Sequence, residues 1–143
     1  MNEDRLKLSN QLCFPLYACS KEVVRHYRPF LDKIGLTYTQ YITMMVMWEY
    51  RKIQLKDLGK MLYLDSGTLS PLLKKLAEKG LITRERSKED ERDMIITITD
   101  EGMRIREQAE DIPLQMGKCI DITPDEAACL YRILYKLLDN ITE

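Results

Sequence analysis

At 143 residues, 45% hydrophobic and 31% charged, the chain has enough apolar material for one ordinary soluble domain. A formal net charge of -1 excludes the uniformly basic surface of many nucleic-acid binders, so any positive patch has to be local. Four cysteines, none in a C-x-x-C pair, and one histidine offer no zinc or disulfide framework and favour reduced thiols, with no metal or cofactor expected. The opening MNEDRLKLSNQ has neither a basic nor an apolar targeting region, and MMVMW is too short to span a bilayer, so a cytoplasmic protein without membrane association is expected.

Taken in order, Leu12, Leu16, Val23, Tyr27, Phe30 and Ile34 form one stripe, which predicts a long first helix ending near Gly35. Pro15 removes a backbone hydrogen bond from such a helix, so a kink or restart is expected close to Cys13, and Pro29 is a second weak point. Thr37-x-x-Gln40 reads as a capping box opening a helix through Trp48. Leu55, Leu58 and Leu62 then mark a short helix that precedes a more distinctive one. In that next helix Leu69, Leu72, Leu73 and Leu76 share a face, Gly67, Ser70, Pro71, Lys74 and Glu78 fall opposite, and Gly80 ends the run. The pair forms a helix-turn-helix. Its second helix presents Ser66, Gly67, Thr68, Ser70, Lys74 and Lys75, and small residues with hydroxyl and ammonium donors suit close approach to base edges and phosphates.

After Gly80 the apolar period changes from helical to alternating. Ile82, Arg84 and Arg86 lie on one side of a strand, and Met94, Ile96 and Ile98 on one side of the next, so a β-hairpin is predicted. Its charged connection, Ser87 to Asp93, should project into solvent. A ribbon carrying Arg84, Arg86, Lys88 and Arg92 suits a wing beside DNA, where arginine enters the narrow minor groove. Arg92 is the leading candidate, with Asp90 two residues earlier to orient its guanidinium, while Arg84 and Arg86 fit phosphates or the base of the wing. Glu85, Glu89, Asp90 and Glu91 nearly cancel this charge, so the residues alone leave a plain solvated turn equally open.

Thr99 is placed to cap a helix running towards Pro113, and Thr123-Pro124-Asp125-Glu126 opens a final helix with Thr as N-cap, Pro at N1 and Glu at N3. Leu130, Leu134, Leu137, Leu138 and Ile141 give it a continuous apolar face. The stripes of the first and last helices exceed what one winged domain can cover, which points to a second subunit. A two-fold homodimer is expected, with residues 1–36 and 100–143 as dimerisation helices and 37–99 as the DNA-binding part of a single domain over 1–143. Two recognition helices would then sit in successive major grooves of a pseudo-palindromic double-stranded operator.

The run Asp90-Glu91-Arg92-Asp93-Met94-Ile95-Ile96-Thr97-Ile98-Thr99 resembles the wing signature of MarR-type winged helix-turn-helix regulators, and LDSGTLSPLLKKLAEKGLITRERS resembles their recognition helix and first wing strand. The segments NQLCFPLYACSKEV and LTYTQYITMMVMWE are similar to the organic-hydroperoxide-sensing OhrR branch, and the resemblance covers nearly the whole chain. It implies a mainly α fold with a small β-hairpin wing, dimerising through its N- and C-terminal helices. It also implies a repressor released from its operator when organic hydroperoxide oxidises Cys13, with Tyr27 and Tyr38 hydrogen-bonding to that cysteine from the partner subunit. Some members of the family lock the oxidised state with a disulfide to a cysteine near the end of the penultimate helix, a region that Cys119 fits.

The residues themselves place Cys13 at the edge of an apolar stripe, where an unpaired cysteine is more often a small buried hydrophobe. A thiolate stabilised by a helix N-terminus, a cation or hydroxyl donors is instead oxidised to a sulfenic acid, which a second cysteine or a small thiol then caps. Cys119 falls in GKCIDITPDE, expected to be a polar connection between helices, whereas Cys19 and Cys129 read as packing residues. Two rival functions stand beside this one. A small aromatic ligand could enter a cleft lined by Met44, Met45, Met47, Trp48 and tyrosines, with Cys13 incidental. A thiol peroxidase using Cys13 is the other, but no second cysteine stands at redox-motif spacing, His26 has no evident catalytic neighbour and no glycine-rich phosphate loop is present, so no enzyme is expected.

Overall fold

Capping chemistry written in the sequence sets most element boundaries in the computed structural model, which describes residues 3–142. Met1, Asn2 and Glu143, included in the expected domain bounds, lie outside the described residues. Two short 3-10 turns, Glu3–Leu6 and Leu8–Asn10, lead into α1 (Cys13–Asp32), α2 (Tyr38–Tyr50), β1 (Lys52–Gln54), α3 (Leu55–Leu62) and α4 (Ser66–Glu78). The wing strands β2 (Ile82–Arg86) and β3 (Met94–Ile98) follow, then α5 (Asp100–Ala109), α6 (Ile112–Ile120) and α7 (Pro124–Ile141). The chain divides into two compact units, one running to Ile112 and the other starting at Pro113. No helix among the described residues is long and apolar enough to cross a membrane.

Both expected capping boxes form. Thr37 Oγ1 accepts the Gln40 N–H at 3.3 Å while Gln40 Oε1 accepts the Thr37 N–H at 3.0 Å, and Thr123 and Glu126 make the same exchange at 3.2 and 2.9 Å. Thr99 Oγ1 accepts the Gly102 N–H at 3.0 Å to start α5. Gly80 follows α4 with φ +77°, a left-handed position that glycine adopts without strain, so the chain turns sharply into β2.

Two elements depart from expectation, and at a third the expected restart near Cys13, not a kink, is what forms. Helix α1 begins at Cys13 itself, which puts Pro15 in the first turn; its missing N–H there has no intrahelical partner to lose, so the proline starts the helix rather than kinking it. Pro29 alone sits inside the helix body. The sheet has a third strand: β1 pairs with β3 through Ile53 opposite Ile96, giving the order β1-β3-β2, with Arg84 opposite Ile96 and Arg86 opposite Met94 on the other side. Cys119 lies in the last turn of α6, not in a polar connection, because Pro113 occupies an early position of that helix instead of ending the one before it.

The core of the first unit gathers Met44 and Met47 from α2, Leu58 from α3, Leu69, Leu73 and Leu76 from α4 and Ile96 from β3, all essentially inaccessible. Burying each such side chain contributes about 1.5–3 kcal/mol. The stacked α4 leucines fix which face of that helix points inward. Its polar face therefore has only one direction left, outward.

Candidate nucleic-acid interface and thiol site

The turn between α3 and α4 is built on close backbone approach. Tyr63 takes the left-handed conformation at φ 56°, and the Leu64 N–H reaches back to the Gly59 carbonyl at 3.0 Å. A Cβ at Gly59 would meet the Leu64 carbonyl oxygen at 2.9 Å, so this corner admits little but glycine. The corner delivers α4 with Ser66, Gly67, Thr68, Ser70, Lys74 and Lys75 all exposed. Asp65, not singled out from the sequence, caps this helix by accepting the Thr68 N–H at 2.7 Å. That hydrogen bond holds its carboxyl below the usual carboxylate range, so the cap is anionic at neutral pH. With the amide of Thr68 taken by Asp65, the groups this face leaves available are its exposed side chains. An aspartate preceding a small polar run by one residue was the available signal.

In the wing, Arg92 is held in one orientation by its neighbour. Its backbone N–H reaches Asp90 Oδ1 at 3.0 Å and its Nε reaches the same oxygen at 3.2 Å, while the side chain stays 91% exposed. Arg86 acts within the wing itself, donating to the Glu91 carbonyl at 2.8 Å and so clamping the turn. Arg84 and Lys88 are exposed.

Cys13 is the first residue of α1, exposed, where the amides of the opening turn have no intrahelical acceptor and the N-cap residue Leu12 makes no side-chain cap. Tyr27 and Tyr38 meet at the other end of α1, their ring centroids 4.9 Å apart, with Tyr41 5.8 Å from Tyr27. Burial raises the phenol pKa of all three above the ordinary value, for Tyr27 and Tyr41 with help from neighbouring phenols, so each hydroxyl remains a proton donor at neutral pH. Cys13 and Tyr27 stand fourteen residues apart on one helix, which at the helical rise separates them by about 21 Å. A thiol and a phenol at opposite ends of a rigid rod cannot touch within one protomer. Tyr41, three residues beyond Tyr38, was not singled out from the sequence; nor was Lys79, whose ammonium bridges to Gly35 and Gln40.

All four cysteines are exposed in the single chain. Cys19 and Cys129, expected as packing residues, do not pack within the single chain; an Arg132 guanidinium nitrogen approaches Cys129 Sγ at 4.0 Å. Met44 and Met47 are fully buried core residues rather than cleft lining, and Met45 points to solvent. Trp48 is partly buried and donates from its indole nitrogen to the Gly102 carbonyl at 2.9 Å.

A helix-turn-helix continued by an antiparallel wing with an exposed, braced arginine defines the winged helix-turn-helix class of DNA-reading proteins. Comparison with known proteins narrows the class. A family profile described as transcriptional regulator SarA/Rot matches residues 25–109. The organic hydroperoxide resistance transcriptional regulator of Bacillus subtilis is 44% identical, over 96% of this chain and 94% of its own length. Among solved structures, reduced AbfR bound to DNA is 34% identical and superposes with a TM-score of 0.81 over 100% of both chains. The disulfide-formed state of AbfR, also 34% identical, gives 0.63 over 96% of this chain and 94% of that one. The chain belongs to the SarA/Rot family of transcriptional regulators and is a MarR-type winged helix-turn-helix protein of the branch that holds the organic hydroperoxide resistance regulator.

Proposed function

We infer that this protein is a redox-responsive DNA-binding transcriptional regulator: a homodimeric, cytoplasmic repressor that leaves its double-stranded operator when an organic hydroperoxide oxidises Cys13. The carrying observation is the placement of one exposed thiol at the free N-terminus of α1, in a chain whose first unit also holds a complete winged helix-turn-helix. The 44% identity to a hydroperoxide resistance regulator supports the same reading.

On this reading residues 1–143 act as one MarR-type domain, with 1–36 and 100–143 forming the dimer and 37–99 reading DNA. Ser66, Gly67, Thr68, Ser70, Lys74 and Lys75 meet the major groove and its phosphates; Arg92, braced by Asp90, enters the minor groove, and Arg84 and Arg86 serve the base of the wing. The Cys13 thiolate attacks the hydroperoxide. An S–O bond forms, the O–O bond breaks, and the alcohol leaves with a proton; the sulfenic acid then condenses with the Cys119 thiol, or with a small thiol, releasing water. Tyr27 and Tyr38 of a second copy supply the hydroxyl donors that stabilise the thiolate, since Tyr27 of the same copy lies about 21 Å away along α1 with Tyr38 beside it. Each oxidation uses the thiol once and reductant regenerates it, so no substrate is turned over.

Two recognition helices must stand about 34 Å apart, so a small rotation of each subunit loses contacts on both half-sites. A hundredfold loss of affinity needs only about 2.7 kcal/mol of difference between the reduced and oxidised dimers. Release by a small aromatic ligand is the weaker alternative, because Met44 and Met47, two of its proposed lining residues, are wholly inside the core. The test is fluorescence anisotropy of a promoter fragment. One equivalent of cumene hydroperoxide should weaken binding about a hundredfold, reductant should restore it, and Cys13→Ser should bind normally and stay bound. Release of the serine variant, or retention of DNA by the fully oxidised protein, overturns the proposal.

A further inference from the structure

The C-terminal end of the recognition helix is tied to a distant part of the chain. Lys79 caps α4, and its ammonium crosses to the corner between α1 and α2, donating to the Gly35 carbonyl and, at 3.1 Å, to Gln40 Oε1. Both acceptors belong to the segment that presents the phenols. Gly35 follows the end of α1, which carries Tyr27, and Gln40 closes the capping box whose first helical residue is Tyr38. Gln40 is 3% exposed, and its side-chain oxygen also accepts the Thr37 N–H at 3.0 Å, so both of its lone pairs are occupied. The ammonium thus ties the end of α4 to both sides of the corner between the helices that carry Tyr27 and Tyr38.

A second grip on the same end does not pass through Lys79. Thr99 Oγ1 donates to the Gly80 carbonyl at 2.6 Å while accepting the Gly102 N–H at 3.0 Å, and the Gly102 carbonyl takes the Trp48 indole N–H at 2.9 Å. Removing the ammonium therefore leaves α4 seated, with its leucines still buried.

We propose that Lys79 is the positioning residue that transmits the state of the phenol-bearing α1–α2 corner to the recognition helix. The proposal rests on the peroxide-release reading above, and its test separates the two. Lys79→Met removes the charge-assisted bonds, and Lys79→Arg keeps a cation with several donors. For each, and for the unaltered protein, two quantities are read: Cys13 oxidation by intact-mass spectrometry, and operator affinity before and after one equivalent of cumene hydroperoxide. Lys79→Met should oxidise at the unaltered rate, yet its ratio of reduced to oxidised affinity should shrink at least tenfold, with Lys79→Arg recovering most of it. An unchanged ratio in Lys79→Met overturns the role of Lys79 while leaving the sensor intact. No release of the unaltered protein overturns the sensor reading itself.

Discussion

Helices α4 and α7 carry comparable leucine stripes and meet opposite fates. On α4, Leu69, Leu73 and Leu76 are at most 1% exposed, sealed by α2, α3 and the sheet; on α7 no residue is buried, and Leu130, Leu137 and Ile141 are 49%, 37% and 68% exposed. An amphipathic pattern thus specifies that a face will be covered without saying by what. The first stripe is satisfied inside the chain. The second is a contiguous apolar surface of the kind that marks an interface, and α1 with the residue before it adds Leu12, Phe14, Leu16 and Val23 to the exposed set.

Substitutions of equal size should therefore fail in different ways. Leu73→Ala opens a cavity in a closed core and should cost about 2–5 kcal/mol in urea unfolding at any protein concentration. Leu137→Ala should lower stability by an amount that depends on protein concentration, because in the proposed homodimer it weakens assembly rather than the protomer. If both variants behave identically across a hundredfold range of concentration, the contrast between the helices is wrong. Arg92→Ala should leave stability alone and weaken operator binding by about 1–3 kcal/mol, with relaxed preference where the wing enters. An unchanged binding isotherm would take DNA reading away from the wing.

The smallest effect concerns the phenols. Their pKa values are raised in the fold, so the unfolded chain ionises first, near the ordinary value of 10.0. Their contribution is complete below that pH and is lost as pH rises through the higher folded values. Urea midpoints should be insensitive to these groups up to about pH 9 and fall above 10, and Tyr27→Phe with Tyr38→Phe should flatten the fall. The same decline in the double variant would locate the alkaline sensitivity elsewhere.

Local chemistry decides what is legible in the sequence. Thr37 with Gln40, Thr123 with Glu126, and Gly80 each close their own hydrogen bonds within a few residues, and the structure places the boundaries there. Strand β1 is not legible, because three residues cannot display a period and Ile53 becomes part of a strand only through its pairing with Ile96. Pro113 and Pro15 look like breakers when both fall in the first turn of a helix, a distinction that rests on where the helix starts rather than on the proline. Lys79 is invisible for a third reason: its acceptors lie 44 and 39 residues away, and nothing near it in the chain announces them. The candidate DNA face can be read residue by residue from its exposed side chains, whereas Asp65 shows that it governs the helix N-terminus only once its bond to Thr68 is seen.

The proposed sensing thiol and its phenols come from different copies of the chain, and mixed dimers test this directly. One subunit carries Cys13→Ser with both tyrosines intact, and the other keeps Cys13 but carries Tyr27→Phe and Tyr38→Phe. Across the two-fold, one complete site is then restored and the other destroyed. Cys13 in this heterodimer should be oxidised by cumene hydroperoxide at the unaltered rate, whereas in a homodimer of the double-phenylalanine chain it should be slow. Equally slow oxidation in both would contradict the claim.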